Sequence, residues 1–209
     1  KNLDIAGQNA YAARACDGKR FFPFRLLRPD EPPDTVEREV VEGGFLGFKP
    51  YHSLVPGKGP EEVAVDDMLP AALMEIADRR RLIVTLHVPR KGRFADPLNR
   101  RQVARLAGRF PKATIVLAHV GRAYYLRNIV GSLEDVAGLT NVFYDLAMLN
   151  NWDVLEYLFA RVPSERILFG TDMPISVAPG KSVEINDQYT YVTPVPWNLS
   201  IHDGRGRIR

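Results

Sequence analysis

Short apolar runs recur along the chain, beginning at Phe21, Phe45, Leu82, Thr114, Val142 and Ile167 and ending at Leu27, Tyr51, Val88, Val120, Met148 and Thr171. The runs LIVTLHV and TIVLAHV are nearly all apolar. That is the pattern of strands covered on both faces in a parallel sheet, not the alternation of a strand with one wet face. Between the runs the period becomes helical. Asp66 and Asp67 precede MLPAALMEIADRRR, Asp96 with Pro97 opens LNRRQVARLAGRF, and Asn151 precedes WDVLEYLFARV; each is a helix start of the capping type. Tyr125, Ile129, Leu133 and Val136 share one face at helical spacing and predict a further helix from about Ala123 to Val136. Residues 1–20 read as a loop and an alanine-rich helix, NAYAARAC. Beyond Asp172 and Pro174 no helical period appears, and Pro179, Pro194 and Pro196 oppose one, so residues 175–209 are expected to form an extended segment. Its Tyr189, Tyr191 and Trp197 are expected to pack on the outer shell, with His202 in the tail.

Regular strand and helix alternation implies parallel strands joined by right-handed crossovers. An open doubly wound sheet would carry a glycine-rich phosphate turn, and no G-x-G-x-x-G or Walker sequence follows any run. The polar residues favour a barrel. Lys49, His87, His119 and Asp172 each stand at the end of a different predicted strand. A barrel opens all its strand C-termini on one face, so the four can converge, whereas an open sheet strings them along an edge. The expectation is therefore a single α/β domain of the (β/α)8 TIM-barrel type, incomplete, with about six βα units within residues 1–174. Burying such groups without partners would cost several kcal/mol each, so mutual pairing or a metal is the economical arrangement. Neutral imidazoles and a carboxylate are ligands of catalytic zinc, which lowers the pKa of a water to about 7.

Composition adds exclusions. With 28 Lys and Arg against 25 Asp and Glu among 209 residues, the charge is a mild +3, and no continuous basic stripe interleaved with aromatics points to nucleic acid. The single Cys16 allows no internal disulfide, which fits a reducing compartment. No apolar run approaches the roughly 20 residues that span a bilayer, so a cytoplasmic protein without membrane contact is expected.

The stretches GFLGFKPY, LIVTLHV, TIVLAHVGR and ILFGTDMP, in that order, resemble the metal-dependent amidohydrolase superfamily, and within it the amidohydrolase-related group that includes lactonases and aromatic-acid decarboxylases. The resemblance implies that His87 and Asp172 are metal ligands, that Asp172 also accepts a proton, and that His119 either acts on the substrate or binds a second ion. Lys49 matches a position that some members use for a bridging carboxylated lysine; a substrate-facing cation is preferred here. Arg122, three residues after His119, is a candidate clamp for a substrate carboxylate. Asp145, Arg25 and His52 are weaker candidates. The implied cofactor is a divalent metal, zinc first and manganese second. The implied activity is hydrolysis of a lactone, ester or amide bond in a small anionic molecule, with non-oxidative decarboxylation of an aromatic acid as the alternative. The family's His-x-His pair occurs nowhere in the 209 residues. That departure, with six units against eight, suggests a barrel lacking its first strands and leaves open an inactive homologue. Exposed strand edges would favour pairing of copies.

Overall fold

The computed structural model describes residues 3–177, 179–186 and 188–192. Six strands, β1 (Phe24–Leu27), β2 (Gly47–Pro50), β3 (Ile83–Leu86), β4 (Thr114–Leu117), β5 (Val142–Asp145) and β6 (Ile167–Leu168), form one parallel sheet in sequential order. A doubly wound sheet reverses its strand order at a switch point, and this one never does. Right-handed crossovers that always step the same way put their helices on one side, which is the construction of a barrel wall. Here β1 and β6 are the two ends of the wall, so the sheet is an open arc. The incomplete barrel expected from the sequence is what the chain forms.

Register explains which residues become core. Arg25, Phe48, Val84, Ile115 and Val142 lie in one row across β1 to β5, and all are buried. Against this convex face pack α2 (Pro33–Glu42), α4 (Ala71–Arg80) and α5 (Pro97–Arg109), through residues such as Val36, Val40, Leu73, Ile76, Val103 and Leu106. Each fully buried aliphatic side chain here contributes roughly 1.5–3 kcal/mol. Because side chains alternate along a strand, Lys49, Thr85 and Asp145 point to the opposite, concave face. Gly47 is needed in β2: a Cβ there would run into the Ile83 carbonyl oxygen.

Arg25, weighed above as a weak site candidate, belongs to the scaffold. Its guanidinium bonds Glu31 and Glu39, each at 2.6 Å. Burial opposes its charge, but the two carboxylates outweigh burial and raise its pKa. At the N-terminal end α1 (Ile5–Ala15) covers the free edge of β1. The Asn9 amide accepts from Leu26 N at 2.8 Å and donates to Leu26 O at 3.1 Å, imitating a neighbouring strand.

Asp96 and Asn151 cap their helices as expected, α5 and α7 (Trp152–Phe159) respectively. Three local expectations fail. The helix placed over Ala123–Val136 is instead two single 3₁₀ turns, Leu126–Asn128 and Glu134–Val136, because Gly131 at φ 70° breaks the run between them. Ile129, Leu133 and Val136 are buried all the same, so the apolar spacing reported burial and not helix. The helix after Asp66 and Asp67 is split: the aspartates lie inside a short α3 (Val65–Met68), and Pro70, with no N–H to give, forces a new start at Ala71. The segment after Pro179, expected as an extended loop, instead carries β7 (Lys181–Ile185) and β8 (Gln188–Val192), which pair antiparallel, with Asn186 at φ 49° after β7. Tyr189 and Tyr191 fall on β8, while Pro194, Pro196, Trp197 and His202 lie outside the described residues.

Candidate active site

Beyond the ends of β2 to β6 the chain forms a cleft of about 560 Å³, whose walls include His52, His87, His119, Arg122 and Asp172. His87, His119 and Asp172 come together as the sequence leads one to expect, with Arg122 and the weaker candidate His52 beside them. The His87 ring sits 5.3 Å from that of His119, edge to face, and 6.2 Å from that of His52, stacked. His87 Nδ1 is buried and has no hydrogen-bond partner. Burial, reinforced by the nearby Arg122, His119, Lys49 and His52, holds the His87 pKa well below the usual imidazole range, so the ring is neutral and keeps a lone pair for a ligand.

His119 opens α6 (His119–Arg122), a single turn of left-handed helix: φ is 54° at His119, 52° at Val120, 68° at Gly121 and 62° at Arg122. For the three non-glycine residues this costs on the order of 1–2 kcal/mol each. The turn is held by bonds from Arg122 N to Ala118 O and from Ala123 N to His119 O, both 3.0 Å, and by burial of Val120 and Ala123. Gly121 lies against Phe94, whose Cβ would be 2.6 Å from a Cβ at that position. Asp145 anchors the turn: its Oδ1 accepts from His119 N and from Ala147 N, each at 3.0 Å.

His119 Nδ1 lies 2.8 Å from the Ala147 carbonyl. A carbonyl only accepts, so Nδ1 carries the hydrogen and Nε2 presents its lone pair to the cleft. Nε2 faces Asp172 Oδ2 at 3.9 Å. Burial lowers the His119 pKa; Asp145, the Ala147 carbonyl and Asp172 oppose that shift.

Lys49 points to the concave face but is not among the residues lining the cleft. Its Nζ lies 5.5 Å from the centre of the Tyr51 ring. Burial lowers its pKa, against the pull of Asp145 and Asp172. Arg122 donates from Nη1 to the Val88 carbonyl at 3.0 Å, and its pKa is pushed down to about 10 by burial and by the neighbouring Arg93.

Backbone strain concentrates at the cleft. Among the described residues, nine non-glycine positions have positive φ, and Arg90, Arg93, His119, Arg122, Met148 and Asp172 of these line it. Such conformations persist where surrounding structure imposes them, and they gather at functional sites. Arg90, Arg93 and Asn99 had not been singled out in the sequence. Asn99, fully buried in α5, donates to the carbonyls of Pro89 and Arg93 at 2.8 and 2.7 Å and so fixes the loop that carries both arginines. Its one sequence signal was an amide on an otherwise apolar helix face.

An open arc of βα units that gathers histidine and aspartate beyond its strand ends places the cleft where TIM-barrel proteins carry their active sites. A family model described as Amidohydrolase matches residues 5–188, and the chain belongs to that family. Among solved structures it is similar to an uncharacterised TIM-barrel protein from Bordetella bronchiseptica, at 19% identity over 80% of this chain and 60% of that one, with a TM-score of 0.57. An amidohydrolase from Burkholderia multivorans aligns at 16% identity over 81% and 66%, with a TM-score of 0.59. A dihydroxybenzoic acid decarboxylase from Polaromonas, solved with manganese and 2-nitroresorcinol, aligns at 19% over 81% and 64%, with a TM-score of 0.52. The chain thus spans about two thirds or less of these structures' lengths. No curated protein matches it.

A divalent ion is the group such a site would take. The unpartnered His87 Nδ1 in a neutral ring and the Asp172 carboxylate are suitable donors. Among the described residues no three His, Cys, Asp or Glu side chains come together as a preformed cage. The residues present therefore fit part of a ligand set. No helix among the described residues is long and apolar enough to cross a membrane.

Proposed function

We propose that the chain carries the catalytic strand-end residues of a metal-dependent hydrolase that cleaves a lactone, ester or amide bond in a small anionic substrate. The observation that supports this best is the pair of proton acceptors, His119 Nε2 and Asp172 Oδ2, facing each other across 3.9 Å. A water between them donates one hydrogen to each and turns an oxygen lone pair toward a bound carbonyl. His119 takes the proton as bond formation begins, and the resulting imidazolium, steadied by Asp145, returns it to the leaving group. The bond from Nδ1 to Ala147 keeps the ring in the tautomer this requires. His87 and Asp172 would hold a divalent ion, zinc or manganese, which supplies Lewis acidity for the carbonyl and the water when bound. Lys49 offsets the carboxylates of Asp145 and Asp172.

Decarboxylation of an aromatic acid is the second reading. The rings of Tyr51, His52 and Tyr124 line the cleft and can flank a planar substrate. One experiment addresses both. Bound metal is measured in the wild-type protein and in His87→Ala and Asp172→Ala, with turnover of a lactone panel and of hydroxylated benzoates in parallel. Loss of metal in both variants, with His119→Ala keeping metal but losing turnover, is the expected result. Unchanged metal content and turnover in His87→Ala and Asp172→Ala would overturn the assignment, and the substrate class turned over decides between the readings.

A further inference from the structure

We propose that Asn150 is a positioning residue for the proton pair of the cleft: its side-chain amide clasps the segment that follows Asp172 to the loop that orients His119, and so sets the distance between the two groups. The inference rests on reading His119 and Asp172 as the proton acceptors of the reaction, and it deepens that reading by naming what fixes them relative to each other. Asn150 is not among the residues that line the cleft, so its effect on the chemistry runs through the loops it joins.

The first support is that one loop meets both members of the pair. Just after β5, the Ala147 carbonyl takes the hydrogen of His119 Nδ1 at 2.8 Å. Further along the same loop, Asn150 Oδ1 accepts from Ser182 N at 2.8 Å, and Asn150 Nδ2 donates to the Gly180 carbonyl at a longer 3.4 Å. An amide has one accepting end and one donating end, so a backbone N–H and a backbone C=O set side by side fix which way round it sits. Gly180 and Ser182 stand at the start of β7, in the segment that leads away from Asp172. On the other side of Asp172, a Cβ on Gly170 would lie 3.1 Å from the Ala147 Cβ, so the chain entering Asp172 also runs against this loop. The segment that carries Asp172 is thus gripped at both ends by the loop that holds His119.

The second support is the setting of Asp172 itself. It stands in a left-handed conformation, φ 55°, and its side chain is 37% exposed. Among the described residues its carboxylate faces the His119 ring at 3.9 Å and accepts no hydrogen bond. A carboxylate so placed keeps one direction only where the backbone around it is imposed from outside. Asp172 O accepts from Ile175 N at 2.9 Å, which closes the turn after it, and the next fixed points along the chain are Gly180 and Ser182 on Asn150. Ser182 is buried, so its N–H, released from Asn150, would find little water to replace the bond. Geometry of this kind matters to rate, since a shift of about 1 Å in a reacting group, caused from a distance, costs up to about 100-fold.

The test uses the whole chain, with amide hydrogen exchange followed by NMR in the wild-type protein, Asn150→Leu and Asn150→Asp, and with kcat and KM measured on the panel substrate that turns over. In Asn150→Leu the Ser182 and Ile175 amides are expected to exchange about tenfold faster or more, while the Leu146 amide, bonded to Leu168 O beside the sheet, changes less than about threefold. Over the same change kcat should fall about tenfold or more, with KM within about twofold. Asn150→Asp keeps the acceptor for Ser182 N and loses the donor to Gly180 O, so it should fall between. Faster exchange at Ser182 with Ile175 unchanged, or equal acceleration at all three amides, would make Asn150 a fastener of the hairpin alone and overturn the proposal; a raised KM with kcat unchanged would do the same. Should Asn150→Leu not fold, the wild-type protein decides: protection of Ser182 and Ile175 within about threefold of each other supports a shared clasp, and a larger difference refutes it. Asp172→Ala keeps this inference apart from the catalytic reading. Full turnover in that variant ends the catalytic reading, and Ile175 exchange in Asn150→Leu still decides whether Asn150 positions Asp172. Turnover lost in Asp172→Ala, with Ile175 exchange unchanged in Asn150→Leu, leaves the catalytic reading standing and refutes the clasp.

Discussion

Asp145 holds the active-site turn through one oxygen, and removing it is the sharpest test of how the site is built. Oδ1 accepts two backbone N–H groups, those of His119 and Ala147, each at 3.0 Å. The His119 residue is only 6% exposed, so in Asp145→Ala its N–H has little access to a replacement water. A hydrogen bond to a charged group contributes about 1.5–3 kcal/mol net. Asp145 itself retains some solvent contact, so the lower figure applies to both bonds, and the loss comes to about 3 kcal/mol. Strain adds to the effect: without the anchor, the left-handed conformation at His119, Val120 and Arg122 has less to hold it. Asp145→Asn keeps an acceptor but not the charge, and should lose roughly half as much. Urea unfolding followed by tryptophan fluorescence measures both, with the m-value expected to be unchanged. In a domain of this size the alanine variant should melt about 6–12 °C lower. An Asp145→Ala protein within about 0.5 kcal/mol of wild type would refute the assignment of Asp145 as the anchor of the turn.

Arg25→Met leaves Glu31 and Glu39 without their shared cation; both carboxylates keep solvent contact, so the cost should be about 1–3 kcal/mol, below that of a fully buried pair; the urea midpoint measures it, and a change under about 0.5 kcal/mol would refute Arg25 as a brace of the scaffold. In the metal-free protein, His87, His119 and His52 all have folded pKa values below the ordinary 6.5. The unfolded chain therefore binds protons first on acidification: the stability tied to these rings is complete above about pH 6.5 and is lost as pH falls from there toward their folded values. The slope, up to about 1.4 kcal/mol per pH unit for each ring, should shrink in His87→Gln. An identical slope between pH 7.5 and 5.0 in wild type and variant would show that His87 is not held neutral.

Much of this protein is written in local pattern. Near-continuous apolar runs separated by capped helices required a parallel βα wall, because only strands covered on both faces read that way. The strand ends could be found in the same pattern, and with them His87, His119 and Asp172. Asp96 and Asn151 marked their helices because capping is chemistry between near neighbours. Apolar spacing was less informative from Tyr125 to Val136, where it foretold which residues are buried but not that Gly131 would break the helix. Other features depend on partners distant in the chain. Arg25 and Asp145 are both weaker site candidates in the sequence; only the fold shows Glu31 and Glu39 closing on Arg25, and the Asp145 oxygen meeting the backbone of another strand's loop. Left-handed conformations at Arg90, Arg93 and Arg122 have no signature in residue type, since nothing in an arginine favours positive φ; packing from Phe94 and bonds from Asn99 and Asp145 impose them. The residues available for chemistry were thus legible one strand at a time. How they face one another, His119 Nε2 toward Asp172 and the arginines along one wall, is set by contacts between loops that only the folded sheet brings within reach.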